Sequence, residues 1–163
     1  MRGIKRICAL VLCIAAVFCT LSVFAGADGD AGARISKVNV EYREKLHLAF
    51  RIEADGDLDG TLGIGVYDGE ERIYESFTEK MDEGGAVYYA GHGVAAAQIT
   101  TEYKYVVLLK AADGTVSEIS EPLSYSVATY AEKRLTDAGI TEAQANLYRK
   151  LIAYGEAADE IFD

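Results

Sequence analysis

Residues 102–127 read EYKYVVLLKAADGTVSEISEPLSYSV, two strand-like runs joined across Asp113-Gly114. Both runs are rich in Val, Leu, Ile and Tyr and mix polar with apolar positions, which is typical of β-strands. An Asp-Gly pair between two such runs favours a tight hairpin turn. Pro122 has no backbone N–H to donate to a neighbouring strand, so the second run should lie at a sheet edge.

Similar runs precede this hairpin, and turn residues separate them at Asp55–Gly60, Asp68-Gly69 and Glu83–Gly85. Short strands at such spacing predict an antiparallel β-sandwich rather than a parallel sheet covered by helices. We therefore predict a mainly β domain over residues 35–127. Its seven expected strands are Ile35–Tyr42, Lys45–Glu53, Leu62–Tyr67, Arg72–Phe77, Ala86–Gly91 with a continuation toward Ile99, Glu102–Ala111 and Thr115–Val127.

After Val127 the apolar residues recur with a helical period, which predicts a helical tail over residues 128–163. Ala128–Ala138 should form a first short helix that stops at Gly139. Thr141 and Gln144 then form a capping-box pattern, which marks the start of a second helix. This second helix is expected to pair with the first as a hairpin, and it carries an apolar stripe of Leu147, Leu151, Tyr154, Ala158 and Ile161.

The N-terminal segment has the pattern of an export signal. Basic residues precede an apolar run over residues 7–24, and Val23 and Ala25 occupy the small-residue positions of a cleavage site. We predict a signal peptide over residues 1–25 and a flexible leader over residues 26–34. All three cysteines, Cys8, Cys13 and Cys19, lie in the signal. The mature protein should therefore be secreted or on the extracellular cell surface and free of disulfides, and it would meet a membrane only if the signal stayed uncleaved.

Two segments resemble a known family. Residues 101–107 (TEYKYVV) and 117–124 (SEISEPLS) resemble the last two strands of fibronectin type III modules, with Tyr103 at the position of that family's corner tyrosine. Residues 46–50 resemble its second strand, with Phe50 where the family keeps a core tryptophan. The chain departs from the family in having no tryptophan and in placing Ala97 where the family prefers leucine. The resemblance implies an Ig-like, fibronectin type III-like sandwich. The tail over residues 147–162 is similar to a helical segment that follows such sandwiches in secreted proteins of Gram-positive anaerobes.

Composition and motifs argue against several functions. The formal net charge of −10 disfavours nucleic acid as a partner. The two histidines lie in different predicted strands, and the sequence has no G-x-S-x-G, H-E-x-x-H or Gly-rich phosphate motif. We therefore expect no catalysis and no resident cofactor. Abundant carboxylates leave a glycosidase pair open, although a small sandwich offers little room for the cleft it needs.

Tyrosines and aspartates supply the candidate binding residues. Exposed aromatic rings next to carboxylates suit sugar stacking, and the candidates are Tyr67, Tyr74, Tyr88 and Tyr89. The alternative is that strands simply favour half-buried tyrosine. Asp55, Asp57 and Asp59 match the first half of a calcium loop, but Val66 stands where a bidentate Glu belongs. Residues 55–60 are thus either an acidic hairpin turn or a weak calcium site.

The second helix needs a surface on which to bury its stripe. If Ile64 and Val66 face the core, then the alternation leaves Gly63 and Gly65 on the outer face, next to an outward Val106 and Leu108. We predict that the helix docks there, or else that another chain covers this face.

These features together predict a non-catalytic interaction module that binds carbohydrate or another surface protein. A structural spacer in a larger extracellular protein and a small secreted hydrolase are the alternatives.

Overall fold

The structure, a computed structural model, describes residues 32–42, 45–81, 85 and 87–162. The predicted signal peptide and most of the predicted leader lie outside the described residues. Two antiparallel sheets and two helices make up this part of the chain. The strands are β1 (Ala33–Tyr42), β2 (Leu46–Ala54), β3 (Thr61–Asp68), β4 (Glu71–Ser76), β5 (Glu79–Met81), β6 (Val87–Val94), β7 (Tyr103–Lys110), β8 (Val116–Glu118) and β9 (Leu123–Tyr125).

The strand order of the first sheet is β1-β2-β6-β5, and that of the second is β4-β3-β7 followed by β8 and β9, which both pair with β7. The predicted mainly β class and two-sheet arrangement are therefore confirmed. Strands β4 and β5 lie at sheet edges. β4 presents Glu71, Arg72 and Glu75 to solvent, and β5 is three residues long.

The core forms between the inner faces of the two sheets. Phe50 of β2 and Ile64 of β3 are fully buried, as the period-two pattern predicts. The Phe50 ring packs on Tyr105 of β7, with 4.4 Å between ring centroids. Burying a side chain of this size stabilises a fold by roughly 1.5–3 kcal/mol. Phe50 thus occupies the core at the position where the family resemblance expects a tryptophan.

The observed strands differ from the predicted ones in three places. β5 was not predicted. β6 ends at Val94, and a short 3₁₀ turn (Ala96–Gln98) replaces its expected continuation. The predicted strand Thr115–Val127 splits into β8 and β9, because Pro122 interrupts the pairing and the Ser120 hydroxyl accepts the hydrogen bond of the Val107 N–H at 2.9 Å instead.

Two helices follow the sandwich, α1 (Val127–Leu135) and α2 (Glu142–Phe162). The Ser126 hydroxyl caps α1 by accepting the Thr129 N–H at 2.9 Å. The predicted capping box of α2 is confirmed. The Gln144 side chain accepts the Thr141 N–H at 3.0 Å, and the Thr141 hydroxyl accepts the Gln144 N–H at 3.3 Å.

Helix α2 packs on the end of its own sandwich. Gly155 and Ala158 are buried, and a methyl group added at Gly155 would lie 2.7 Å from the Ile99 side chain. The Thr100 hydroxyl donates to the Asp159 carboxylate. The α1 end of the hairpin is fixed to the same place, since the Ala128 N–H donates to the Ile99 carbonyl at 2.9 Å. The segment after β6 is therefore the docking surface of the tail.

The docking surface predicted from the sequence was wrong. The space beside Gly63 is filled by Phe77, and the space beside Gly65 is filled by Leu108. Val106 and Leu108 are buried without α2 lying over those glycines. The outer face of the second sheet is thus covered by side chains of the sandwich, which leaves α2 to pack at its end.

Candidate functional site

A groove with a volume of about 720 Å³ opens where the sandwich meets the helices. One wall comes from β1, β2 and β6, the floor from the 3₁₀ turn, and the other wall from α1 and α2. The lining residues are mostly aliphatic and aromatic: Val40, Tyr42, Lys45, Leu46, Val94, Ala95, Ala96, Ile99, Tyr130, Leu147, Tyr148, Leu151 and Tyr154.

Strand pairing explains how the sandwich wall forms. Tyr42 and Leu46 are opposite each other where β1 turns into β2, and Leu46 is opposite Val94 across the next pair of strands. The chain leaves β6 at Val94 and turns through the 3₁₀ helix, where Ile99 closes the floor with 1% of its surface exposed. The end of three neighbouring strands thus presents apolar side chains to the helices.

The mouth of the groove is more exposed than its floor. Tyr42 is 79% exposed, Leu147 63% and Tyr154 60%. Such large apolar side chains in water are unusual when they adjoin each other, and contiguous patches of this kind mark interaction sites.

Four tyrosine hydroxyls and one ammonium group provide the polar chemistry of the groove. Tyr130 and Tyr148 pack edge to face, with 6.0 Å between ring centroids. Burial, and next the neighbouring Tyr148, raise the pKa of Tyr130 to about 12, so this ring stays neutral at physiological pH. Lys45 is the only charged residue among the described lining residues. The lining residues that the structure describes include no carboxylate, imidazole, thiol or amide side chain, so the polar groups of the groove are tyrosine hydroxyls and one ammonium group.

The tyrosines predicted from the sequence do not form an exposed cluster. Tyr88 and Tyr89 are buried, with 5% and 3% of their surfaces exposed, which corrects the prediction that they stack on a ligand. Tyr89 faces the core and its hydroxyl donates to Glu79 at 2.9 Å. Tyr74 is 37% exposed on the edge strand β4. As neighbours in one strand, Tyr88 and Tyr89 point to opposite faces of the sheet.

Tyr67 lies in a smaller hollow of about 210 Å³ on the outer face of the second sheet. Its hydroxyl donates to the Glu118 carboxylate. Burial, and then this hydrogen bond, raise the pKa of Tyr67. Glu70, Lys104, Val106 and Pro122 complete the hollow, whose volume lies below the range of about 300–1,000 Å³ that is typical of ligand pockets.

Asp55, Asp57 and Asp59 are all exposed, in the turn between β2 and β3. Within the described ranges, no three His, Cys, Asp or Glu side chains come together in a way that could hold a metal ion. Val66, at the twelfth position of the calcium pattern, is fully buried in the core. The turn itself is explained by Gly56, whose φ of +97° favours glycine.

The two histidines lie in the sandwich, outside the groove. A ring nitrogen of His47 lies 3.2 Å from the Gly91 carbonyl oxygen. His92 packs edge-on against Tyr103, with 4.5 Å between ring centroids, and neither of its ring nitrogens has a hydrogen-bond partner among the described residues. Burial, and next the nearby His47, lower the pKa of His92. Neither ring lines the groove.

Sequence reasoning missed the groove because its walls come from distant segments. The available signals were the exposed end of β1 at Tyr42 and the tyrosines of α2, none of which carries a motif. No helix in the described ranges is both long and apolar enough to cross a membrane. No protein-family model, curated protein or solved structure matches the chain. The function must therefore be inferred from the chemistry of the groove.

Proposed function

We propose that this protein is a secreted, non-catalytic binding module that recognises an apolar segment of another extracellular protein. The observation that carries the proposal is the groove, a concave apolar surface with an exposed mouth between the sandwich and α2. Its volume of about 720 Å³ lies in the range of specific ligand sites, roughly 300–1,000 Å³. A partner could bury several apolar side chains there.

The fold proposed for this module is Ig-like and resembles fibronectin type III. Support comes from the strand order, since β1-β2-β6-β5 corresponds to strands ABED of an Ig domain and β4-β3-β7-β8 to the C′CFG sheet. Further support comes from Phe50 in the core and from Tyr103, buried at the start of β7. Secretion rests on the N-terminal sequence pattern alone. Intact mass of protein recovered from the medium should show a chain beginning near Gly26, and a product that retains Cys19 would contradict the proposed cleavage.

A protein ligand fits the groove better than a carbohydrate does. Sugar hydroxyls require several hydrogen-bonding partners when they leave water, whereas the described lining offers only tyrosine hydroxyls and Lys45. Apolar side chains need no such partners and gain from burial in proportion to their area. Lys45 at the rim would favour a partner segment that carries a carboxylate beside its apolar side chains.

The test is selection of a displayed library of random peptides on the purified protein, together with a glycan array. We expect apolar peptides with an acidic residue to be enriched. Tyr42→Ala should weaken their binding by about tenfold, the effect of losing one aromatic anchor worth about 1.4 kcal/mol. Tyr74→Ala is the matched control, because Tyr74 is an exposed tyrosine on β4, outside the groove, and it should leave binding unchanged.

Each alternative predicts a different result. Glycan binding that depends on Tyr42 would replace the protein ligand by a carbohydrate. Binding that is sensitive to Tyr74→Ala and insensitive to Tyr42→Ala would move the site to the second sheet. A protein with no ligand in either screen would be better described as a spacer, and turnover of a hydrolase substrate panel would show that it is an enzyme.

A further inference from the structure

Helix α2 exposes a row of large apolar side chains. Leu147, Tyr154 and Ile161 follow each other at intervals of seven residues, and they are 63%, 60% and 75% exposed. Two exposed residues flank Tyr154 on this side of the helix, Ala157 three residues after it and Lys150 four residues before it. Seven residues are almost two helical turns, so this row runs along one side of the helix.

This row is distinct from the side of α2 that packs on the sandwich. The buried residues of the helix are Ala145, Gly155 and Ala158. At about 100° per residue, Ala145 and Gly155 point about 100–180° away from Tyr154 around the helix axis, whereas Ala158, four residues after Tyr154, borders the row. The apolar stripe predicted from the sequence is therefore only partly used within the domain. Its exposed half, which we call the outer row, consists of Leu147, Tyr154 and Ile161.

The outer row is symmetric about its central residue. Leu147 and Ile161 each lie seven residues, or about 10.5 Å, from Tyr154. If two copies of α2 packed antiparallel about a two-fold axis at Tyr154, Leu147 of one copy would meet Ile161 of the other. The same surface would then serve both copies, which is the requirement for an isologous dimer. Ala157 beside the row would allow the close approach of 8–10 Å that is typical of packed helices.

Charges along the helix have the matching arrangement. Lys150 lies in the N-terminal half of α2, and Glu160 lies in its C-terminal half. Both are exposed, and neither forms an ion pair with another residue in the described part of the chain. An antiparallel pair would bring Lys150 of one copy close to Glu160 of the other, twice. It would also place acidic residues, unfavourable at the C-terminus of their own helix, near the N-terminal half of its neighbour.

We propose that the outer row of α2 is the interface of a two-fold symmetric homodimer with antiparallel α2 helices. The occupant of this surface is a second copy of the chain. The two-fold axis is perpendicular to both helices, so the same flank of each α2 lies on the same side of the helix pair. The two grooves therefore open on one side of the dimer. Leu147 and Tyr154 also line the mouth of the groove, so the dimer interface and a groove ligand would contact the same two side chains.

Charge exchange provides the test, with the dimer dissociation constant measured by sedimentation equilibrium without any ligand. Lys150→Glu and Glu160→Lys each replace two attractions by two repulsions, and each should raise the dissociation constant by about tenfold. An equimolar mixture of the two variants should associate as tightly as the wild type, because both cross-pairs are then complementary. Glu132→Lys on α1 makes the same charge change away from the outer row and should have no effect.

Two results would overturn the proposal. The first is a wild-type protein that stays monomeric up to about 100 μM, which is also the outcome if a different protein covers the outer row. The second is a dimer that Ile161→Lys leaves intact, or one in which the mixture associates no better than each variant alone. Tyr42 lines the groove but lies outside the outer row. Tyr42→Ala should therefore weaken groove binding and leave the dimer intact, so the two proposals can fail separately.

Discussion

Replacing Gly155 by alanine tests how α2 is attached to the sandwich. The added Cβ would lie 2.7 Å from Cγ2 and 2.8 Å from Cβ of Ile99. Ile99 is 1% exposed, and its Cβ is fixed to the backbone, so the contact cannot be relieved by rotating a flexible side chain. Forcing an extra methyl group into such a packed site costs about 1–3 kcal/mol.

The helix propensity of alanine opposes the clash, so the sign of the change in unfolding free energy shows which effect is larger. Alanine is favoured over glycine within a helix by about 1 kcal/mol. The clash with Ile99 should outweigh this gain, for a net loss of about 1 kcal/mol in the free energy of unfolding. For a domain of this size, such a loss lowers the melting temperature by roughly 4 °C. Urea denaturation and thermal melts of Gly155→Ala measure both quantities.

Gly139→Ala is the matched control. No atom lies within 4 Å of the position of a Cβ at Gly139, and its φ is not positive. Alanine there should leave stability unchanged or raise it by about 0.4–1 kcal/mol, through the lower entropy of the unfolded chain. If Gly155→Ala were as stabilising as Gly139→Ala, then α2 would not pack on Ile99.

Two further predictions concern protons and calcium. Burial lowers the pKa of His92 below its ordinary value of 6.5, so the unfolded chain binds the proton more readily than the folded one. The free energy of unfolding should therefore fall as the pH drops below 6.5. His92→Phe should make the urea midpoint less dependent on pH between pH 7 and about 5.5. Millimolar calcium should shift the melting temperature only slightly relative to EDTA, because the aspartates of residues 55–59 lack a bidentate partner. A large rise at micromolar calcium that disappears in Asp57→Ala would contradict this.

The sequence was most informative where the determinants are local. Ile64 and Val66 lie in the core because a period of two assigns alternate residues to one face, whichever strands pair beside them. The α2 start was equally predictable, since Thr141 and Gln144 bond within a single turn. The same alternation argues against the predicted cluster of ligand-stacking tyrosines, because adjacent residues such as Tyr88 and Tyr89 cannot share one face of a strand.

The groove and the helix dock depend on long-range contacts, which periodicity does not encode. An apolar stripe indicates which side of a helix avoids water, but Leu151 and Tyr154 are close on that stripe and only Leu151 packs against the core. Gly155 was predictable as a point of close approach, whereas its contact, Ile99, followed from the unexpected end of β6 at Val94. The end of β6 at Val94 thus bears on the packing of α2 at Gly155, far along the chain.

The edge strands bear on how this protein behaves when it is concentrated. An exposed edge can template another strand and so begin fibrillar aggregation. β4 resists this with Glu71, Arg72 and Glu75, the last two joined at 3.5 Å, and β5 offers only three residues of backbone. β1, the other edge of the first sheet, carries the exposed charges of Arg34 and Lys37 and a bulge between Ile35 and Lys37. Copies of this chain should therefore remain dispersed in concentrated samples rather than join sheet to sheet. Specific assembly of this chain would use contacts between side chains rather than strand pairing, and such contacts can form an oligomer with a fixed number of subunits.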